Sequence, residues 1–257
     1  MDLGLKDKIF VVGGGSKGLG RGTAQALVDE GARVLLLSRD EASLDRAVAE
    51  LGPAARAVAA DMAYPGTAAQ VAAALDAEFG GRLDGIVINA GGPPAGKALD
   101  LTEEQWLASY QLLLGGPLRL LRTLIPKMDR GGAILFITST SVRQPIPNLD
   151  SSNVLRPGVA ALAKTLAREL APDIRVNSLA PGRFDTDRIR TLDAGRAEAT
   201  GMSVQVIAAE SSKAIPLGRY GEPIELGRFA AFLLSPAASY ISGLAAHADG
   251  AMVTALP

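Results

Sequence analysis

Ile9-Phe10-Val11-Val12-Gly13-Gly14-Gly15-Ser16-Lys17-Gly18-Leu19-Gly20-Arg21 passes from four apolar residues into a glycine cluster and then into a helical pattern. The apolar run reads as a buried strand. The glycines let the chain turn sharply and bring backbone N–H groups up to a pyrophosphate at the helix N-terminus, where the helix dipole favours negative charge. Taken alone, the glycine spacing would also fit a tight turn with close helix packing. A strand before it and a helix after it are the context that dinucleotide binding requires.

Outward from that turn, short apolar runs at 9–12, 34–37, 57–60, 86–88, 133–138 and 175–179 alternate with helical patterns at 18–30, 41–51, 67–79, 102–128 and 157–170. The short runs are nearly continuous in apolar residues, as strands of a parallel sheet covered on both faces are. A helix at 223–234 and a last strand at 245–248 complete the series. The order predicts an α/β chain, a Rossmann-like doubly wound parallel sheet of about seven strands in three α/β/α layers. Repeats of fixed period, low-complexity tracts and linkers are lacking, so one domain over 1–257 is expected. Residues 183–215, with their charges, Gly195 and Gly201, and a helical patch at 204–211, are expected to form a substrate lid after the sixth strand. A plain surface excursion is the alternative.

Composition narrows the chemistry. The 257 residues carry 26 Lys and Arg against 27 Asp and Glu, so the net charge of −1 gives no reason to expect nucleic acid or an anionic membrane as partner. With no cysteine, disulfides, thiol catalysis and Cys-ligated metal are excluded. The single histidine, His247, argues against a His-built metal site or a Ser-His-Asp triad, and no metal is expected. No basic segment leads into a long apolar one and no apolar run nears the ~20 residues that span a bilayer, so a cytoplasmic protein is expected.

The second strand ends Leu37-Ser38-Arg39-Asp40. An acidic residue at that tip would hold a ribose 2′-hydroxyl and repel a phosphate. Ser38 stands there instead, Arg39 follows, and Lys17 of the glycine turn can face the same point. Two cations beside one ribose favour a 2′-phosphate, so NADP(H) is the expected cofactor. NAD(H) stays open through Asp40.

Five motifs occur in order: Gly14-x-x-x-Gly18-x-Gly20, Asp61 after the third strand, Asn89-Ala90-Gly91 after the fourth, Asn177-x-x-Ala180-Pro181-Gly182 after the sixth, and a closing Ala248-Asp249-Gly250. Over essentially its whole length the chain resembles the short-chain dehydrogenases/reductases, most of all members like 3-oxoacyl-acyl-carrier-protein reductase. The resemblance implies cofactor contacts from Gly14, Ser16, Lys17, Gly18, Leu19, Gly20, Ser38 and Arg39. It implies that Asp61 and Met62 meet the adenine, that Asn89, Ala90 and Gly91 pass the ribose, and that Pro181, Gly182 and Thr186 border the nicotinamide and diphosphate. It also implies a homotetramer or homodimer.

The family supplies its proton through a Ser, a Tyr, a Lys and an Asn. Here Ser139 matches the Ser, the Tyr position falls thirteen residues later on Ser152, the Lys position four further on at Arg156, and the Asn position on Leu113. Residues at i and i+4 share a helix face, so Ser152 and Arg156 are expected to point at the cofactor together. Arg156 can hold the ribose hydroxyls and keep positive charge beside the nicotinamide, but it does not release a proton at working pH. A Ser hydroxyl is a far weaker acid than Tyr, whose reference pKa is about 10. Three routes remain: a water polarised beside Ser139 and Ser152, a proton from Asp150 or the substrate, or cofactor binding without efficient turnover.

Ser139, Ser152 and Arg156 are thus the expected catalytic residues. The expected activity is hydride exchange between NADP(H) and a ketone or secondary alcohol, a 3-oxoacyl thioester being one option. A cofactor-binding pseudoenzyme or sensor is the alternative. Leu113, Leu149, Leu155, Phe184 and Met202 are expected around an apolar pocket, with Pro145, Pro147 and Asn148 crossing it and Gly92-Pro93-Pro94 opposite.

Overall fold

In the computed structural model, which describes residues 1–255, every strand residue from Ile9 to Gly13 is buried. The reason is that side chains alternate between two cores. Phe10 and Val12 join Leu27, Leu44 and Leu226 on one face of the sheet, and Ile9 and Val11 join Val71, Leu75 and Leu120 on the other. A strand covered on both faces needs no polar side, which is why these runs are continuous rather than alternating.

The strands are β1 (Ile9–Gly13), β2 (Arg33–Ser38), β3 (Ala55–Ala59), β4 (Leu83–Ile88), β5 (Met128–Ile137), β6 (Ile174–Pro181) and β7 (Ala245–Ala248). They pair in parallel in the order β3-β2-β1-β4-β5-β6-β7. The helices are α1 (Gly18–Asp29), α2 (Glu41–Leu51), α3 (Thr67–Phe79), α4 (Glu103–Tyr110), α5 (Gly116–Leu124), α6 (Asp150–Glu169), α7 (Asp187–Thr200), α8 (Val204–Lys213) and α9 (Pro223–Leu234). From β1 the chain winds outward to β3, then returns to lay β4 on the other side of β1. The loops leaving β1 and β4 therefore diverge, and a crevice opens at the carboxyl ends of the strands. The three-layer doubly wound sheet expected from the sequence is the observed one.

Two helices depart from expectation. The single helix expected over 102–128 is α4, a wide π turn (Gln111–Gly115) and α5 in succession. The α-helix stops at Leu124 because Pro126 has no N–H to continue the helical ladder, and a tight turn (Ile125–Lys127) delivers the chain into β5. Gly116 lies against the loop after β3: a Cβ there would sit 2.0 Å from the Met62 carbonyl oxygen. The helix expected at 157–170 begins seven residues earlier, at Asp150, and carries Pro157 in its interior.

Helices α1 and α9 touch backbone to backbone. A Cβ on Gly227 would fall 2.2 Å from the Gly22 carbonyl oxygen, so only glycine allows this crossing. Segment 183–215 holds α7 and α8, and α7 is fastened from below. Asp193 on α7, 3% exposed, is paired with Arg183 and accepts the Tyr220 hydroxyl at 2.8 Å. Among the described residues no helix is long and apolar enough to cross a membrane.

Candidate active site

A cavity of about 580 Å³ runs along the carboxyl ends of the central strands. At one end lies the glycine turn. Gly14 has φ +60°, and a Cβ on Gly20 would fall 2.2 Å from the Gly14 carbonyl oxygen, so the first turn of α1 rests directly on the loop. Asn89, just past β4, donates from Nδ2 to the Gly13 carbonyl at 3.1 Å and fixes the neighbouring wall. Lys17 stands at the N-cap of α1 without a side-chain cap, so the first N–H groups of the helix are free to meet an anion. Gly18 packs beside Thr186, whose Oγ1 accepts the Ile189 N–H and caps α7 at the same mouth. A glycine turn that admits close approach, with uncapped donors behind it, fits a dinucleotide's diphosphate.

Beyond the turn, Ser16 Oγ donates to Ser38 Oγ at 2.9 Å. Arg39 lines the cavity with its Nη1 3.7 Å from Asp61. Asp40 does not line the cavity. It caps α2 through the Ser43 N–H at 3.1 Å and also holds Lys17 Nζ at 3.0 Å. The Ser43 hydroxyl first, then Lys17, keep its carboxyl well below the usual carboxylate range. Lys17, Ser38 and Arg39 line the cavity beside the tip of β2 and Asp40 does not, although it holds the Lys17 ammonium.

At the opposite end, Ser139 leaves β5 and caps the short turn Thr140–Val142, its Oγ accepting the Ser141 N–H at 3.1 Å. An oxygen that accepts this bond retains its own proton to donate into the cleft. Ser152, in the first turn of α6 and 6% exposed, has its Oγ 3.4 Å from that of Ser141. One turn further, Arg156 is buried and donates from Nη1 to the Ile137 carbonyl at 2.8 Å. Burial first, then the charge of Arg188, pull its pKa down to about 10, so it remains a cation at neutral pH. Asn153 grips the backbone of Ile146 at both ends, accepting its N–H and donating to its carbonyl, each at 2.9 Å. That grip holds the 144–149 loop over the cleft.

All the expected cofactor and catalytic residues line this cavity except Gly20, which lies beneath the turn: Gly14, Ser16, Lys17, Gly18, Leu19, Ser38, Arg39, Asp61, Met62, Asn89, Ala90, Gly91, Ser139, Ser152, Arg156, Pro181, Gly182 and Thr186. The apolar wall differs from expectation. Leu149 is present, but Leu113 is in the core, because the π turn rotates it inward and offers Leu112 to the cleft. Leu155 packs against the same core, Phe184 is buried beside Gly221, and Met202 is exposed. Ile146, Ile189, Leu192 and Met252 take their places. Asp150 is engaged away from the cleft, with the Ala98 N–H at 3.0 Å and with Asn153. Among the described residues no tyrosine lines the cavity.

Arg188 was not foreseen. It projects from the first turn of α7 and donates from Nη2 to the Pro93 carbonyl at 2.9 Å. Its guanidinium lies over Gly92, where a Cβ would meet Nε at 2.7 Å. The available signal was its place, two residues beyond Thr186 in a helix that starts at the mouth of the site.

Known proteins share this fold. The enoyl-(acyl carrier protein) reductase family model matches residues 14–252. An uncharacterized oxidoreductase of Mycobacterium tuberculosis is 32% identical over 255 residues, covering 96% of this chain and 93% of its own. L-sorbose reductase from Gluconobacter frateurii, solved with NADPH and L-sorbose, matches at 30% identity with a TM-score of 0.93 over 100% of both chains. The 3-ketoacyl-(acyl-carrier-protein) reductase from Brucella melitensis, solved with NADH, matches at 32% identity with a TM-score of 0.83, covering 96% of this chain and 99% of that one. Because the match runs from the glycine turn through β7, and not through the cofactor half alone, this chain belongs to the short-chain dehydrogenase/reductase family of oxidoreductases.

Proposed function

We propose that the protein is an NADP(H)-dependent oxidoreductase interconverting a ketone and a secondary alcohol. The observation that carries this is a single cleft with uncapped helix donors and two cations at one end and two serine hydroxyls at the other. The glycine turn and α1 hold the diphosphate, Lys17, Ser38 and Arg39 the 2′-phosphate, and Asp61 and Met62 the adenine. Asn89, Ala90 and Gly91 border the ribose, and Pro181, Gly182 and Thr186 the nicotinamide. When bound, the nicotinamide supplies or takes the hydride.

The chain's own part is to bind and polarise the reacting oxygen. Ser139 and Ser152 donate hydrogen bonds to it, and the buried positive charge of Arg156 opposes the negative charge that develops there. A serine alkoxide is too costly an intermediate, so a water in the cleft delivers the proton. Segment 183–215 serves as the lid, with α7 held at its base by the pairing of Asp193 with Arg183 and Tyr220. The protein acts in the cytoplasm as a homotetramer or homodimer. A second reading, a cofactor-binding protein without efficient turnover, is favoured by one observation: the cleft has no phenol among the described residues.

Fluorescence titration tests the cofactor half. NADPH should bind more tightly than NADH, and Arg39→Asp should weaken NADPH by about tenfold or more, since a charge-assisted bond to phosphate is replaced by repulsion. Equal affinities for the two nucleotides, unchanged in the variant, would remove the 2′-phosphate assignment.

A further inference from the structure

Among the described residues, two guanidinium groups line the cleft without an ion-pair partner. Arg156 enters from α6, is 8% exposed, and has an Nε without a partner among the described residues. Arg188 enters from α7 and is held only through the Pro93 carbonyl. Both line the cavity, and they are close enough for Arg188 to weigh on Arg156 electrostatically.

The nearby acids have other partners, although Asp187 lines the same cavity. Asp187 and Asp185 pair with Arg190, Asp193 pairs with Arg183, and Asp150 is occupied by the Ala98 N–H and Asn153. A buried guanidinium left unneutralised is unfavourable, and two facing one space are arranged as they would be around an anion. Planar forks of N–H donors match a carboxylate or phosphate in particular.

We propose that Arg156 and Arg188 form a substrate anion site. On the oxidoreductase reading, which this deepens, the substrate is a small oxo acid or hydroxy acid. Its carboxylate lies between the two arginines while its carbonyl or carbinol oxygen meets Ser139 and Ser152. In reduction, hydride adds to the carbonyl carbon, a proton from water adds to the oxygen, and NADPH becomes NADP+; the carboxylate is unchanged and serves as the handle. The cofactor's diphosphate is the other anion within reach, but it has its own seat at the uncapped start of α1. Arg156 stands one helical turn from Ser152, which sets the pair at the carbonyl end.

Calorimetry on the full-length protein, with and without saturating NADP+, can compare acetoacetate and levulinate with their methyl esters, alongside an NADPH titration. The acids should bind about tenfold or more tightly than the esters. Arg188→Gln should erase that preference while NADPH affinity stays within about twofold; Arg156→Gln should erase it too, with some loss of NADPH affinity because Arg156 also reaches the ribose hydroxyls. Arg188 is only half-buried, so its variant keeps the test open should Arg156→Gln fail to fold. No preference for acids in the unaltered protein overturns the proposal. So does an equal loss of acid and NADPH affinity in Arg188→Gln, which would assign that arginine to the cofactor. Failure to bind NADPH at all would instead strike the oxidoreductase reading, whatever the acids do.

Discussion

Ser152→Tyr combined with Arg156→Lys is expected to raise the rate of reduction of a neutral ketone by about 10²–10⁴-fold, the usual worth of a well-placed general acid. Both positions lie on the inward face of α6, one turn apart, and both line the cleft. A phenol at 152 would replace a hydroxyl that is a poor acid with one whose pKa starts near 10 and falls beside a lysine. Ser141 Oγ, 3.4 Å from the present Ser152 hydroxyl, is positioned to hydrogen-bond near the new group. Methyl acetoacetate is the right substrate, because Arg156→Lys also alters one side of the anion site. The measurement is steady-state loss of NADPH absorbance, with a thermal melt and a cofactor titration to establish that the variant is folded and loaded. If such a variant gains nothing, the reacting oxygen does not lie over Ser152.

Removing the Ser139 hydroxyl should have the second large effect. Ser139→Ala is expected to lower kcat by about 10²–10³-fold, the range seen when one donor to a developing oxyanion is lost. The geometry gives the reason: Oγ lines the cleft and accepts the Ser141 N–H, which leaves its own proton free to be donated. The variant also leaves that N–H without its cap, at a cost of about 0.5–2 kcal/mol of stability. A purely structural role would appear as a lower melting point with kcat retained. A role at the oxygen appears as a fall in kcat with NADPH affinity unchanged and partial rescue by Ser139→Thr. A kcat within a few-fold of the starting protein would remove Ser139 from the chemistry.

What the sequence disclosed and what it hid follow a physical line. The turn at Gly14–Gly20 and the alternation of apolar runs with helices were legible because each signal lies within a few dozen residues. The same is true of Lys17, Ser38 and Arg39, since strand ends and the first helical turn are fixed by local pattern. The π turn at Gln111–Gly115 was not, because the apolar pattern of Leu112, Leu113 and Leu114 runs on through it. That one wide turn exchanged Leu113 for Leu112 in the cleft. The start of α6 was hidden by Pro157, which marks a helix beginning far more often than an interior. Arg188 was hidden for a different reason. Its approach to Arg156 depends on α7 crossing above Gly92, two segments nearly a hundred residues apart in the chain, and only the fold brings them together.

The most direct measurement is a two-step experiment on the unaltered protein. NADPH is titrated by fluorescence, and loss of its absorbance is then followed with acetoacetate, methyl acetoacetate and an acetoacetyl thioester. An oxidoreductase with a rebuilt proton path should bind NADPH saturably and consume it when a carbonyl compound is added, acetoacetate fastest. Saturable binding with no consumption of NADPH by any of the three would contradict it and leave a cofactor-binding protein in its place.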